Sequence, residues 1–125
     1  MTLEHVAIWT NQLEDLKTFY EKYFDATSND KYVNPLTQHE SYFLTFDCGA
    51  RLELMQRPDI PQSKNNAIAQ FTGIIHLAFA LDSVEEVNDK ADEFKKAGLN
   101  ILRGPRITGD GYYEFEMLDI DRNRI

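Results

Sequence analysis

The chain repeats itself at a spacing of 71 residues, and this repeat limits the possible folds more than any other feature of the sequence. Leu-Glu-His-Val-Ala-Ile at 3–8 aligns with Ile-Ile-His-Leu-Ala-Phe at 74–79, and the downstream segment 13–16 aligns with 84–87. Similarity at a fixed period indicates duplicated supersecondary units. We therefore predict two copies of one module, each made of a strand, a helix and further strands.

Both predicted helices begin at capping signals. Asn11 stands three residues before Glu14, and Ser83 stands three before Glu86, as in a capping box. Apolar residues then recur at helical spacing, which is typical of a helix face that packs on a core. The second helix is predicted to end at Gly98, because glycine tolerates the left-handed backbone that follows a helix.

Alternating apolar residues after each helix predict strands. Residues 41–46 and 51–55 form a predicted hairpin, and residues 111–118 form the matching strand of the second copy. Prolines and polar residues predict a linker at 56–72, and glycine and proline breaks predict a loop at 103–110. These features predict one domain, residues 1–125, with module one at 1–55 and module two at 73–125.

Strand alternation sends side chains to two opposite faces, and one of these faces packs against the helices. The other face is predicted to hold the two aligned histidines, His5 and His76. The same face is predicted to hold further aromatic and charged side chains: Trp9, Phe43, Arg51, Glu53, Tyr112, Glu114 and Glu116. Carboxylates that are buried without partners are costly, so these must be paired, hydrated or bound to a cation. Two imidazoles with carboxylates are a common ligand set for a divalent ion.

Charge and cysteine content limit the class of partner and the compartment. The net charge is −8 and no run of Lys or Arg interrupts it, which opposes binding to nucleic acid or to anionic membranes. Cys48 is the only cysteine, so the chain has no disulfide framework. The N-terminus does not resemble a signal peptide and no apolar run is long enough to span a bilayer. We therefore predict a cytoplasmic protein.

Five segments in the same order resemble the vicinal oxygen chelate superfamily, the group of glyoxalases, bleomycin-resistance proteins and extradiol dioxygenases. They are Leu-Glu-His-Val-Ala-Ile at 3–8, Arg-Leu-Glu-Leu-Met at 51–55, His-Leu-Ala-Phe at 76–79, Gly-Pro-Arg to Gly-Asp-Gly-Tyr-Tyr-Glu at 104–114, and Leu-Asp-x-Asp-x-Asn-Arg-Ile at 118–125. The resemblance implies an α+β fold of two βαβββ modules, which are related by pseudo-two-fold symmetry and form an incomplete barrel around a cleft.

The resemblance also implies a metal site. Its ligands fall on His5, Glu53 and His76, and a fourth glutamate falls directly after Ile125. The repeat aligns Leu52 with Ile125, so the counterpart of Glu53 would also be that next position. Either the last strand is truncated there, as we expect, or Glu114, Glu116, water or another chain completes the ligand set. The implied cofactor is one divalent ion, Ni, Zn, Mn or Fe, and the implied assembly is a homodimer.

The resemblance is weaker at the substrate positions of glyoxalase I. The positions of the arginines that hold glutathione read Trp9 and Thr72 here, and two positions of the apolar pocket read Glu114 and Glu116. Because glutathione is acidic, these carboxylates would repel it. Glutathione is therefore not the expected substrate.

Three functions are compatible with these residues. The first is a metal-dependent lyase, isomerase or dioxygenase with Glu53 or Glu114 as the base, acting on a small molecule bound by Trp9, Phe43, Tyr112 and Glu116. The second is a metal-free protein of the bleomycin-resistance type, whose acidic, aromatic cleft would suit a basic ligand. The third is a vestigial cleft in which the histidines only bond to carboxylates. His39, the third histidine, has no counterpart in the repeat and is expected to be solvated in a loop.

Overall fold

The computed structural model describes residues 1–125 and divides the chain into two compact units, Met1–Ser63 and Lys64–Ile125. Each unit combines a helix with strands, which confirms the predicted α+β class, and neither sheet closes into a barrel. The organisation as one domain and the pseudo-two-fold relation between modules stay predictions. Neither helix has the length and apolar character that crossing a membrane requires.

Unit 1 contains one helix and one sheet. Its elements in chain order are β1 (His5–Trp9), α1 (Leu13–Tyr23), β2 (Thr27–Ser28), β3 (Tyr32–Asn34), β4 (His39–Thr45) and β5 (Arg51–Gln56). The sheet order is β1-β5-β4-β2, and β3 pairs with β4. β1 runs parallel to β5, whereas β4 and β5 pair antiparallel, as the predicted hairpin requires.

The core of unit 1 lies between α1 and one face of this sheet. Among its buried side chains, those at helical spacing in α1 or at alternating positions of β4 and β5 are Leu13, Leu16, Phe19, Tyr20, Tyr42, Leu44, Leu52 and Leu54. Burying a leucine or phenylalanine side chain contributes about 1.5–3 kcal/mol. A slip of one residue in the pairing register of β5 would turn Leu52 and Leu54 outward, so their burial determines which face of β5 points outward.

The start of α1 differs from the prediction. The N-cap residue is Gln12, whose own side chain makes no capping hydrogen bond, so the predicted capping box at Asn11 is wrong. Instead, the Leu13 backbone N–H donates to Gln56 Oε1 at 2.9 Å. A side chain from β5 thus takes the role that the local asparagine was predicted to fill, because folding brings β5 to this end of the helix.

Unit 2 contains α2 (Val84–Lys96), β6 (Asn100–Ile107) and β7 (Tyr113–Leu118), and β6 pairs antiparallel with β7. Its core consists of Ala91, Phe94, Met117 and Leu118. The predicted cap of α2 is confirmed, since Ser83 Oγ accepts from the Glu86 N–H at 3.1 Å. The helix ends as predicted, with Gly98 at φ +74° and the Leu99 N–H donating to the Phe94 carbonyl at 2.9 Å.

Two predictions for unit 2 are wrong. The predicted loop at 103–110 is a strand up to Ile107, because the pairing with β7 shifts its register between Arg103 and Arg106 and accommodates Gly104 and Pro105 there. The strand predicted for the start of module two is reduced to one bridge between His76 and Arg124, supported by a hydrogen bond from the Leu77 N–H to the Arg124 carbonyl at 3.0 Å.

Replacing Gly104 by alanine should destabilise the protein by about 2–5 kcal/mol. Gly104 has φ +89°, and a Cβ added to it would lie 2.7 Å from the Glu114 carbonyl oxygen and 2.8 Å from Phe115 Cα, both backbone atoms of β7. The left-handed backbone costs a non-glycine residue about 1–2 kcal/mol, and overpacking adds about 1–3 kcal/mol. Urea denaturation would measure the loss.

Gly98→Ala is the matched control for this clash. Gly98 also has a positive φ, +74°, but a Cβ there would meet nothing within 4 Å. It should therefore lose only the backbone contribution of about 1–2 kcal/mol. Equal losses for the two variants would show that the approach of β6 to β7 at Gly104 is not as close as described.

Candidate functional site

His5 and Glu53 lie together on the exposed face of the sheet of unit 1. The parallel register of β1 and β5 pairs His5 with Arg51 and Ala7 with Glu53, so the two side chains are diagonal neighbours. His5 Nε2 is 3.8 Å from Glu53 Oε2. Two ligands of one first-row divalent ion, each about 2.1 Å from it, can lie up to about 4.2 Å apart. The imidazole and the carboxylate therefore fit two positions in the coordination of one ion.

The aromatic ring of Phe43 covers one side of this pair. Phe43 is opposite Glu53 in the antiparallel register of β4 and β5. Its ring meets the His5 imidazole edge to face, with centroids 5.3 Å apart, and the Arg51 guanidinium lies 4.3 Å from its centroid. The His5 side chain is 40% exposed and that of Glu53 only 15%. A small molecule could therefore reach the imidazole, while the carboxylate is largely shielded from water.

Glu4 holds the opposite nitrogen of the same imidazole. His5 Nδ1 is 2.5 Å from Glu4 Oε2, and Arg51 Nε donates to Glu4 Oε1 at 2.7 Å. The hydrogen bond from His5, together with the smaller effect of Arg51, holds the pKa of Glu4 below its ordinary value. Sequence reasoning missed this contact because Glu4 precedes β1, and strand alternation says nothing about its side chain.

Trp9 contacts His39, a residue for which the sequence predicted no role. Their rings meet edge to face with centroids 5.7 Å apart, Tyr32 approaches His39 with centroids 6.1 Å apart, and the Arg57 guanidinium lies 5.5 Å from the Trp9 centroid. The predicted solvated loop at His39 is wrong, because His39 is the half-buried first residue of β4. Extending the alternation around Phe43 back by four residues would have placed it in the strand.

His76 is exposed in unit 2 and lies in an extended segment beside Arg124. Its neighbour Leu77 donates its N–H to the Arg124 carbonyl, so the backbone of Arg124 fixes the position of this segment. The structure thus gives His76 a defined backbone partner within its own unit. Its predicted role as a ligand stays a prediction.

The two glutamates predicted for the histidine face form ion pairs with arginines. Glu114 accepts from Arg106 at 3.2 Å, and Glu116 accepts from both Arg103 and Arg124. Burial raises the pKa of Glu116, but the hydrogen bonds from the two arginines outweigh it, so this pKa lies below its ordinary value. Arg103 and Arg106, which the sequence assigned to a loop, are the strand residues that supply these charges.

Tyr112 precedes β7 in the turn and is 71% exposed.

The side chains brought together in unit 1 are those of Glu4, His5, Phe43 and Glu53. Across the chain, no group of three or more His, Cys, Asp or Glu side chains is arranged to hold a metal ion.

The sequence matches one protein family over nearly its full length. The model of the Glyoxalase/Bleomycin resistance protein/Dioxygenase superfamily matches residues 2–125. The chain belongs to this superfamily. The five segments that resembled the vicinal oxygen chelate group are thus confirmed as marks of family membership. Among curated proteins, no match was found.

Solved structures confirm the glyoxalase-like fold of this superfamily member. The trypanothione-dependent glyoxalase I of Leishmania major matches with a TM-score of 0.76 at 17% identity, over 100% of this chain and 84% of that protein. A lactoylglutathione lyase from Agrobacterium tumefaciens matches with a TM-score of 0.68 at 21% identity, over 97% of this chain and 87% of that protein.

A fosfomycin-resistance protein, FosX from Listeria monocytogenes, also shares the superfamily fold. It matches with a TM-score of 0.69 at 18% identity, over 98% of this chain and 86% of that protein, and its crystal contains Mn(II) and 1S,2S-dihydroxypropylphosphonic acid. At these identities the likeness concerns the fold. The chemistry of this superfamily member must be argued from its own residues.

Proposed function

We propose that this chain is a divalent-metal-dependent enzyme that acts on a small molecule with two adjacent oxygen atoms. The observation that supports this most is the pair of donors in unit 1, His5 Nε2 and Glu53 Oε2, 3.8 Å apart. Imidazole and carboxylate suit Ni, Zn, Mn or Fe in the divalent state. The Mn(II) in the FosX crystal is consistent with such an ion. The reaction would be a lyase, isomerase or dioxygenase reaction.

The proposed ligands are His5, Glu53 and His76, the residues that the resemblance implied. The pairing registers support His76 as the counterpart of His5. His5 pairs with Arg51 in unit 1 and His76 pairs with Arg124 in unit 2, both in parallel.

The chain's own residues would hold the substrate and move its proton. A bound ion would supply Lewis-acid stabilisation of negative charge that develops on the substrate oxygens. Glu53 is the better candidate for the base, because the carboxylate of Glu114 already accepts from Arg106. Phe43, Trp9 and Tyr112 offer aromatic surface to the substrate. A homodimer in the cytoplasm belongs to the same proposal. Glutathione is left out of it, because Trp9 and Thr72 stand at the positions of the arginines that hold glutathione in glyoxalase I.

Metal binding by the purified chain tests the proposal. Protein prepared without added metal should contain stoichiometric Ni, Zn, Mn or Fe by elemental analysis, or should gain stability when one of these ions is added. At a free metal concentration 100-fold above Kd, the expected gain is about 2.7 kcal/mol. Adding one glutamate after Ile125 should tighten the binding further. Protein that contains no metal and shows no rise in Tm with any of the four ions would overturn the proposal.

One observation favours the metal-free alternative, a protein that binds a basic ligand. Trp9, Tyr32 and His39 form a cluster of rings in unit 1, and the chain has a net charge of −8. Cationic aromatic compounds bind such surfaces through ring faces and charge. A rise in Tm with these compounds, but not with metal ions, would select this function over the enzyme.

A further inference from the structure

Two carboxylates flank the single imidazole of His5, one at each ring nitrogen. Glu4 Oε2 lies 2.5 Å from Nδ1, whereas Glu53 Oε2 lies 3.8 Å from Nε2. A neutral imidazole carries one N–H, and an ionised carboxylate can only accept it. The shorter distance assigns that N–H to Nδ1 and to Glu4, so Nε2 is left with its lone pair on the side of Glu53.

Two hydrogen bonds from Arg51 fix the position of Glu4 beside His5 Nδ1. Arg51 Nε donates to Glu4 Oε1 at 2.7 Å, and the Arg51 backbone N–H donates to the Glu4 carbonyl at 2.9 Å. The same guanidinium lies 4.3 Å from the centroid of Phe43. Glu4 is therefore tied by both its backbone and its side chain to the first residue of β5, the strand that carries Glu53.

We propose that Glu4, held by Arg51, is a positioning residue that selects the Nδ1–H tautomer of His5 and thereby presents Nε2 to a metal ion beside Glu53. A hydrogen bond from the second ring nitrogen to a carboxylate orients a histidine ligand and makes it more basic. Without Glu4, the nearest carboxylate is Glu53. The imidazole would then donate Nε2–H to Glu53, and neither of these two atoms would be free to bind an ion.

The tautomer can be measured on metal-free protein, independently of the proposed function. At about pH 9, where imidazoles are neutral, ¹⁵N NMR of the three histidines distinguishes Nδ1–H from Nε2–H, and His5→Gln assigns the signal. We expect Nδ1–H for His5 in the wild type and a shift towards Nε2–H in Glu4→Ala. Glu4→Gln should retain Nδ1–H, because its amide oxygen still accepts. The control is Asp59→Ala, which removes a carboxylate paired with Arg57 that touches no histidine.

Metal affinity gives the second readout and rests on the proposed function. Glu4→Ala should weaken Zn²⁺ or Ni²⁺ binding about 10- to 100-fold, Glu4→Gln should weaken it less, and Asp59→Ala should leave it unchanged. An Nε2–H tautomer in the wild type, or an Nδ1–H tautomer that persists in Glu4→Ala, would overturn the inference, as would an altered tautomer with unaltered affinity. If the wild type binds no metal, the proposed function fails, and the tautomer alone decides whether Glu4 positions the ring.

Discussion

His5→Gln should weaken the binding of Zn²⁺ or Ni²⁺ at least about 100-fold, as measured by calorimetric titration of the metal-free protein. Removing a partner that only orients a ligand typically costs 10- to 100-fold in affinity, and this variant removes the donor atom itself. Glu53→Gln should have a comparable effect, because an amide oxygen is a weaker donor than a carboxylate. Because the His5 side chain is 40% exposed, replacing it with glutamine should not disturb the core.

The matched control is His39→Gln in the same unit. His39 contacts the rings of Trp9 and Tyr32 and is not paired with Glu53. This variant should therefore keep the metal affinity of the wild type. If His39→Gln weakens binding as much as His5→Gln does, the loss is not specific to the pair of His5 and Glu53. If none of the three variants changes the affinity, unit 1 does not contribute ligands.

The placement of His5 and Glu53 on one face could be predicted from sequence because it depends on strand alternation. Alternation in β1 and β5 places both side chains on the face away from α1, and the buried leucines of β5 determine which face that is. The parallel pairing of β1 with β5 then makes the two residues diagonal neighbours. Binary patterning was sufficient for the shared face, whereas the pairing of β1 with β5 was not predicted and is given by the structure.

The features that sequence reasoning missed all depend on contacts between distant or irregular segments. Glycine and proline at 104 and 105 indicated a loop, but pairing with β7 outweighs this local preference, and a register shift absorbs the two residues. The hydrogen bond from Leu13 to Gln56 spans 43 residues, so no local motif records it. Glu4 lies just before the first strand, where no periodic pattern predicts the direction of a side chain.

The arginine partners of Glu114 and Glu116 were also missed, because these ion pairs depend on contacts between strands. The sequence placed both carboxylates on a partly buried face, and it therefore predicted that they are paired, hydrated or bound to a cation. Which of the three applies depended on β6, since Arg103 and Arg106 reach the glutamates only because β6 pairs with β7. Because β6 was predicted as a loop, Glu114 and Glu116 were given no arginine partners, and the predicted histidine face was taken as too acidic.

Arg124→Met should destabilise the protein by about 2–4 kcal/mol at pH 7, as measured by urea denaturation. Arg124 is 6% exposed, and its guanidinium donates to Glu116 and to the carbonyls of Asn66 and Ala67, at 3.1 and 2.8 Å. Breaking a buried pair typically costs about 3–5 kcal/mol. The loss should be smaller here because Glu116 keeps Arg103. Arg103→Met is the control, and it should cost less than about 1 kcal/mol because that side chain is 57% exposed.

The loss in Arg124→Met should also shrink as the pH falls. Glu116 has a lowered pKa in the folded protein, so its ionised form stabilises the fold above the ordinary carboxyl pKa of about 4.3. This contribution disappears as the pH drops through the lowered value, where the folded carboxylate takes up its proton. The two proteins should therefore differ less in unfolding free energy at about pH 3 than at pH 7. A difference that stays constant would mean that Arg124 acts only through the carbonyls of Asn66 and Ala67, and that it fixes the backbone beside His76 without help from Glu116.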